Sequence, residues 1–105
     1  VYKRQQDIQI NVAFENNDFL IIDKHAGLTV HPGAGQKDST LINGLLHMYP
    51  DQRKIPRYGV VHRLDKDTSG LMIIARTLES HTNLTDLIQT RNIKRYLNRI
   101  IRLDF

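Results

Sequence analysis

The sequence predicts an α+β domain, a mixed α/β arrangement in which a largely antiparallel sheet is flanked by helices. Three observations predict it. Apolar residues alternate at period 2 over residues 8–14, and the short runs 19–22 and 71–75 are continuously apolar. Two further stretches, 41–49 and 80–89, carry apolar residues at helical spacing. The chain has 105 residues, 40% hydrophobic and 25% charged, the balance of one small globular domain.

Each element has a local reason. Ile8, Ile10, Val12 and Phe14 alternate with polar or small neighbours, which reads as a half-buried strand. Asn16-Asn17-Asp18 is a turn, and Phe19-Leu20-Ile21-Ile22 reads as a strand buried on both faces. Lys24 to Gly27 reads as a turn and Leu28-Thr29-Val30 as a short strand. Ser39 or Thr40 is placed to cap a helix carrying Leu41, Ile42, Leu45, Leu46 and Tyr49. Pro50 to Arg57 has the composition of a polar, basic loop. Gly59-Val60-Val61 and Leu71 to Ala75 read as two strands around a polar stretch. Leu84, Leu87 and Ile88 mark an amphipathic helix from about Ser80 to Gln89, and Lys94 to Ile101 is expected as a final strand.

Composition bounds the function. There is no Cys, which excludes disulfides, iron–sulfur clusters and thiolate zinc sites. His25, His47 and His81 lack ligand spacing, so no metal is expected. Gly33-Ala34-Gly35 belongs to no strand–loop–helix phosphate unit, so no nucleotide cofactor is expected either. No apolar run approaches the roughly 20 residues that cross a bilayer. The polar start at residues 1–7 has no signal-peptide pattern, so the expected location is cytoplasmic. The net charge is +4. Acidic and basic side chains balance through residue 90, and the excess comes from Arg91, Lys94, Arg95, Arg99 and Arg102 against Asp104. Such a run suits a polyanion such as RNA, or is simply a solvated face.

The chemistry concentrates in His62-Arg63-Leu64-Asp65-Lys66-Asp67-Thr68-Ser69-Gly70. A polar stretch held between two apolar segments is where side chains are placed most accurately. In extended chain Arg63 and Asp65 share a face, and a guanidinium there favours an ionised carboxylate able to act as nucleophile or base. Two other readings stand beside it. Asp67, Thr68, Ser69 and Gly70 suit an ordinary turn. Asp65-Lys66-Asp67 also has the D-x-D spacing of Mg²⁺-dependent phosphatases, although His62 and Arg63 intervene after the strand and no downstream acidic pair follows.

The stretch His62 to Leu71 closely resembles the signature of the RluA-type pseudouridine synthases. Asp23-Lys24-His25-Ala26-Gly27-Leu28-Thr29-Val30-His31-Pro32-Gly33 is similar to that family's earlier N-K-P-x-G-L-x-V-H-P motif, with His25 in place of the usual Pro. Lys94-Arg95-Tyr96 resembles its K-x-Y motif. Leu41 to Tyr49 and Pro56-Arg57-Tyr58-Gly59 look most like the D branch of the ribosomal large-subunit enzymes. The resemblance runs over about residues 7–97.

The resemblance implies isomerisation of uridine to pseudouridine in RNA, most of all large-subunit ribosomal RNA. A uridine is flipped from its stack, its glycosidic bond breaks, and C5 of the turned uracil bonds to C1′. Asp65 takes the place of the catalytic carboxylate. Three first steps stay open for it: attack on the sugar, attack on the base, or removal of the 2′ proton. Arg63 matches the residue that holds the flipped nucleotide or fills its vacated place. Tyr96 matches a stacking tyrosine, Lys94 a phosphate contact, and His62 a contact to backbone or RNA. No metal or cofactor is implied. A later G-R-T-H-Q-I-R motif is missing, as is an S4-type RNA-binding domain. The chain is therefore expected to be a partial catalytic domain, the N-terminal part of a longer one. A non-catalytic RNA-binding fragment is the alternative function.

Overall fold

The computed structural model describes residues 9–30, 40–62 and 69–101. Within them the chain runs β1 (Asn11–Glu15), β2 (Phe19–Lys24), α1 (Leu41–Met48), two 3₁₀ turns (Pro50–Lys54 and Pro56–Gly59), β3 (Gly70–Ala75), α2 (Leu78–Gln89) and α3 (Ile93–Ile101). The strands form one antiparallel sheet in the order β1-β2-β3. An α+β architecture with helices on both sheet faces is thus the observed fold.

The continuous apolar run of β2 makes it the central strand. Leu20 and Ile22 join Met72 and Ile74 of β3 against Leu41, Ile42, Leu45 and Leu46 of α1. Phe19 and Ile21 join Ile73 and Ala75 against Leu84 of α2 and Leu97 of α3. Each such side chain removed from water contributes roughly 1.5–3 kcal/mol.

β1 departs from its simple alternation. Val12 pairs with Ile22, but Phe14 pairs with Ile21, so a bulge falls between them. The extra residue reverses the side-chain phase. Val12 therefore packs on the α1 side and Phe14 on the α2 and α3 side, where its ring meets Phe19 at 5.7 Å. The following turn closes on Asn16, whose Oδ1 accepts the amides of Asp18 and Phe19, each at 2.8 Å.

Leu28-Thr29-Val30 is not a strand. Leu28 and Val30 are buried, and the carbonyls of Thr29 and Val30 accept the amides of Leu41 and Ile42 at 2.8 and 3.1 Å. Those are the orphan donors at the start of α1. Thr40 is the N-cap: its Oγ1 accepts from the Asn43 amide, and Asn43 Oδ1 accepts from the Thr40 amide. The segment that looked like a strand is therefore recruited to end a helix.

The basic stretch Pro50–Arg57 is ordered as 3₁₀ turns rather than open loop. Gln52, 2% exposed, donates from Nε2 to the carbonyls of Tyr58 and Ala75, both at 2.8 Å. Arg57, Tyr58 and Gly59 all take positive φ, of 53°, 59° and 90°. At Gly59 a β-carbon would run into the Ala75 carbonyl and Gln52, so close approach and backbone conformation both require glycine. Of Gly59-Val60-Val61 only Val60 pairs, as a single bridge to Ile74.

The expected strand over Lys94–Ile101 is instead the helix α3. Ile93, Tyr96, Leu97 and Ile100 recur at helical spacing, while Lys94, Arg95 and Arg99 occupy the other arc. Leu97 is buried against the sheet and the three basic residues are exposed. α2 ends in a Schellman motif, the Asn92 amide reaching Leu87 O at 2.8 Å and the Arg91 amide reaching Ile88 O at 3.2 Å. Arg91 takes the left-handed position at φ 63°, and the chain restarts at once as α3.

Two substitutions test this account by urea unfolding. Gly59→Ala is expected to cost about 1–3 kcal/mol through overpacking against Ala75. Arg91→Gly is expected to stabilise, by no more than about 1 kcal/mol, because the left-handed cap then carries no β-carbon.

Candidate active site

Five residues were singled out by sequence. Arg63 and Asp65 lie outside the described residues; His62, Lys94 and Tyr96 lie within them. The polar stretch that carries His62, Arg63 and Asp65 starts beside β3 and ends in it. Val60 bridges Ile74, and His62 follows two residues later. Past the stretch the chain enters β3 at Gly70, with φ 148°. Gly70 stands opposite Lys24 across the sheet.

His62 is tied down by its ring. Nε2 accepts the backbone amide of Ile73 at 3.1 Å. A ring nitrogen that accepts carries no proton, so the imidazole is neutral with its hydrogen on Nδ1. Burial acts in the same direction and holds its pKa below the usual 6.5.

His62 and Lys94 come together, on one cleft of about 200 Å³ whose other walls are Leu71, Ile73, Ile88, Ile93 and Leu97. The cleft lies between β3, the end of α2 and the start of α3. Its apolar walls and two cationic or titratable rims suit a flat, partly polar group. Tyr96 is on a different surface. It is half-buried, its ring 6.5 Å from that of Phe19, and it borders a second cleft with Asp18, Glu79, Ser80 and Asn83. The helical turn of α3 separates Lys94 from Tyr96, which a strand would have set on one face.

Lys24 was quoted for its motif but given no role. It is 1% exposed, at the end of β2, and its Nζ donates to the His25 carbonyl at 3.2 Å. The sequence did carry the signal, because Lys24 is in phase with the buried Leu20 and Ile22. A fully buried ammonium is held only with polar partners, and its register opposite Gly70 sets Lys24 at the end of the sheet where the polar stretch enters β3. Among the described residues no group of three or more His, Asp or Glu side chains is placed to hold a metal ion. No helix among them is long and apolar enough to cross a membrane.

Comparison with known proteins bears on this geometry. The family model for RNA pseudouridylate synthase matches residues 18–100. Ribosomal large subunit pseudouridine synthase D of Pseudomonas aeruginosa is 51% identical over 96 residues, which cover 91% of this chain and 30% of that protein. Its namesake from Xanthomonas campestris is 54% identical over 90 residues, covering 86% of this chain and 27% of the relative. The chain thus spans less than a third of these relatives. Among solved structures, human RNA pseudouridylate synthase domain containing 1 superposes with a TM-score of 0.60 over 86% of this chain and 31% of its own, at 21% identity. That likeness is one of fold.

The buried neutral His62 makes stability depend on pH. Its folded pKa lies below its unfolded value of 6.5, so between the two the unfolded chain binds more protons. Stability is expected to fall as pH drops below about 6.5 and to level off below the folded value. In urea midpoints measured against pH, His62→Gln is expected to lack that component.

Proposed function

This chain belongs to the RNA pseudouridylate synthase family, and on that premise we propose that it forms the N-terminal part of a catalytic domain that isomerises uridine in large-subunit ribosomal RNA. The observation that carries the reading is the signature His62 to Leu71, in a chain half identical to relatives named for that reaction. Its first residue is bonded to the strand in which its last two residues lie.

In this reading Asp65 is the carboxylate that starts the reaction. The N1–C1′ bond of a flipped uridine breaks and the uracil turns. A C5–C1′ bond forms, and the C5 proton leaves to solvent while N1 gains one. One carbon–nitrogen bond is exchanged for one carbon–carbon bond with no net oxidation, so the balance calls for no redox partner. Arg63 holds the flipped nucleotide or fills the gap it leaves, and Lys94 supplies a cation at the rim of the cleft that His62 shares. Tyr96, whose ring rests beside Phe19, is the stacking residue of this reading. The cytoplasm, where ribosomal RNA is made and modified in bacteria, is the location that goes with this substrate.

One observation favours a second reading, an RNA-binding module without turnover. Arg91, Lys94, Arg95 and Arg99 are all exposed around α3, and that helix contains no acidic residue. Such a face binds phosphates whatever the fate of a uridine.

A hybrid separates the two. Residues 18–100 replace the matching segment of the Pseudomonas aeruginosa relative, and tritium release is followed from ribosomal RNA labelled at uridine C5. Release is expected from the hybrid and is expected to vanish in Asp65→Ala. Release unaffected by Asp65→Ala would overturn the assignment of the carboxylate. RNA binding with a steep salt dependence and no release from either hybrid would favour the binding module.

A further inference from the structure

β3 is paired with β2 along its whole length, from Lys24 opposite Gly70 to Phe19 opposite Ala75. Its other edge meets no strand among the described residues. It is met at three points instead. Gln52 donates to the Ala75 carbonyl, Val60 bridges Ile74, and the His62 ring accepts the Ile73 amide. The first two come from chain ahead of the signature. The third comes from the first residue of the signature itself.

That position matters. His62 directly precedes residues 63–68, and Ile73 stands just past them on β3. One side-chain hydrogen bond therefore joins the entry of the motif to its exit. Around the ring the walls are Leu71, Ile73, Ile88, Ile93 and Leu97, none of which offers a side-chain acceptor. Losing the ring nitrogen would take from the Ile73 amide its side-chain acceptor, and none of those walls supplies another.

We infer that His62 is a positioning residue, which by accepting the Ile73 amide holds the first residue of the signature against β3, a tie on which turnover depends. The role rests on the synthase reading above; the bond does not. A contact from His62 to RNA would act through substrate affinity. A ring that merely fills space would act through volume. A positioning residue acts through an acceptor at one point in space, and a small displacement of a reacting group lowers turnover steeply.

The hybrid enzyme distinguishes these with two variants. His62→Phe keeps a ring and removes the acceptor. His62→Gln gives up the ring but carries an amide oxygen at a comparable reach. The expected result for His62→Phe is a kcat lower by about 10- to 100-fold. Its KM for RNA is expected to stay within about twofold, the pattern of an interaction used after binding. His62→Gln is expected to recover most of kcat. Amide exchange read by NMR supplies a measure that needs no activity. The Ile73 amide is expected to exchange about tenfold faster in His62→Phe, relative to Ile22, and near the parent rate in His62→Gln. The inference is overturned if both variants lose kcat equally, if KM rises while kcat holds, or if Ile73 exchange is unmoved in His62→Phe. A parent hybrid that releases no tritium overturns the synthase reading and the role with it, while Ile73 exchange still reports the bond.

Discussion

A strand with a neighbour on one side must satisfy its other edge or leave backbone donors and acceptors exposed to whatever approaches. Among the described residues β3 is that strand, and its outer edge is met by groups from three points of the chain. A fourth strand would serve, but among the described residues the chain ahead of it contributes Val60 as a single bridge. Side chains complete the edge: the Gln52 amide at Ala75 and the His62 imidazole at Ile73. Each brings a constraint with it. Gln52 must be buried, which requires the 3₁₀ turns to carry it inward and Gly59 to let the backbone pass beside Ala75. His62 must be neutral, which its burial favours.

The core is built so that this edge is rigid. β2 and β3 are covered on both faces, by α1 on one side and by α2 and α3 on the other. The bulge in β1 lets a short edge strand serve both layers, with Val12 on one and Phe14 on the other. The far end of the sheet is closed by a separate polar group. Arg76 lies over the Tyr49 ring at 5.2 Å and pairs with Glu15 at 3.2 Å, and the Tyr49 hydroxyl donates to Glu15 at 3.1 Å. Much of the strength of such a cluster is geometric, because it fixes the hairpin end of β1 and β2 against the end of β3. At the signature end of the sheet the described tie is that of His62 to Ile73, with Lys24 opposite Gly70.

The residues singled out from sequence do not all meet. His62 and Lys94 share a cleft, and Tyr96 rests on Phe19 outside it. The cause is the form of the last element. In a strand, Lys94 and Tyr96 would lie on one face; in α3 they are two positions apart on a helix and point differently. The pattern Ile93, Tyr96, Leu97, Ile100 was visible in the sequence and is helical in period. Lys24 went unassigned, since a lysine closing an apolar run reads as the start of a turn.

The sequence alone determined the sheet's central pair, α1 with its cap at Ser39 or Thr40, α2, and the family to which the signature belongs. These depend on contacts close in the chain, on hydrophobic period, capping chemistry and residue order. Tertiary structure decided the rest. Whether Val12 and Phe14 share a face depends on a bulge, which leaves no mark in the alternation. Whether Leu28 to Val30 is a strand depends on α1, whose free amides claim its carbonyls. Whether His62 serves RNA or backbone depends on an amide eleven residues away, which donates to the ring where no strand among the described residues lies beside it. Local pattern records which groups must be satisfied; only the packed chain decides which partner satisfies them.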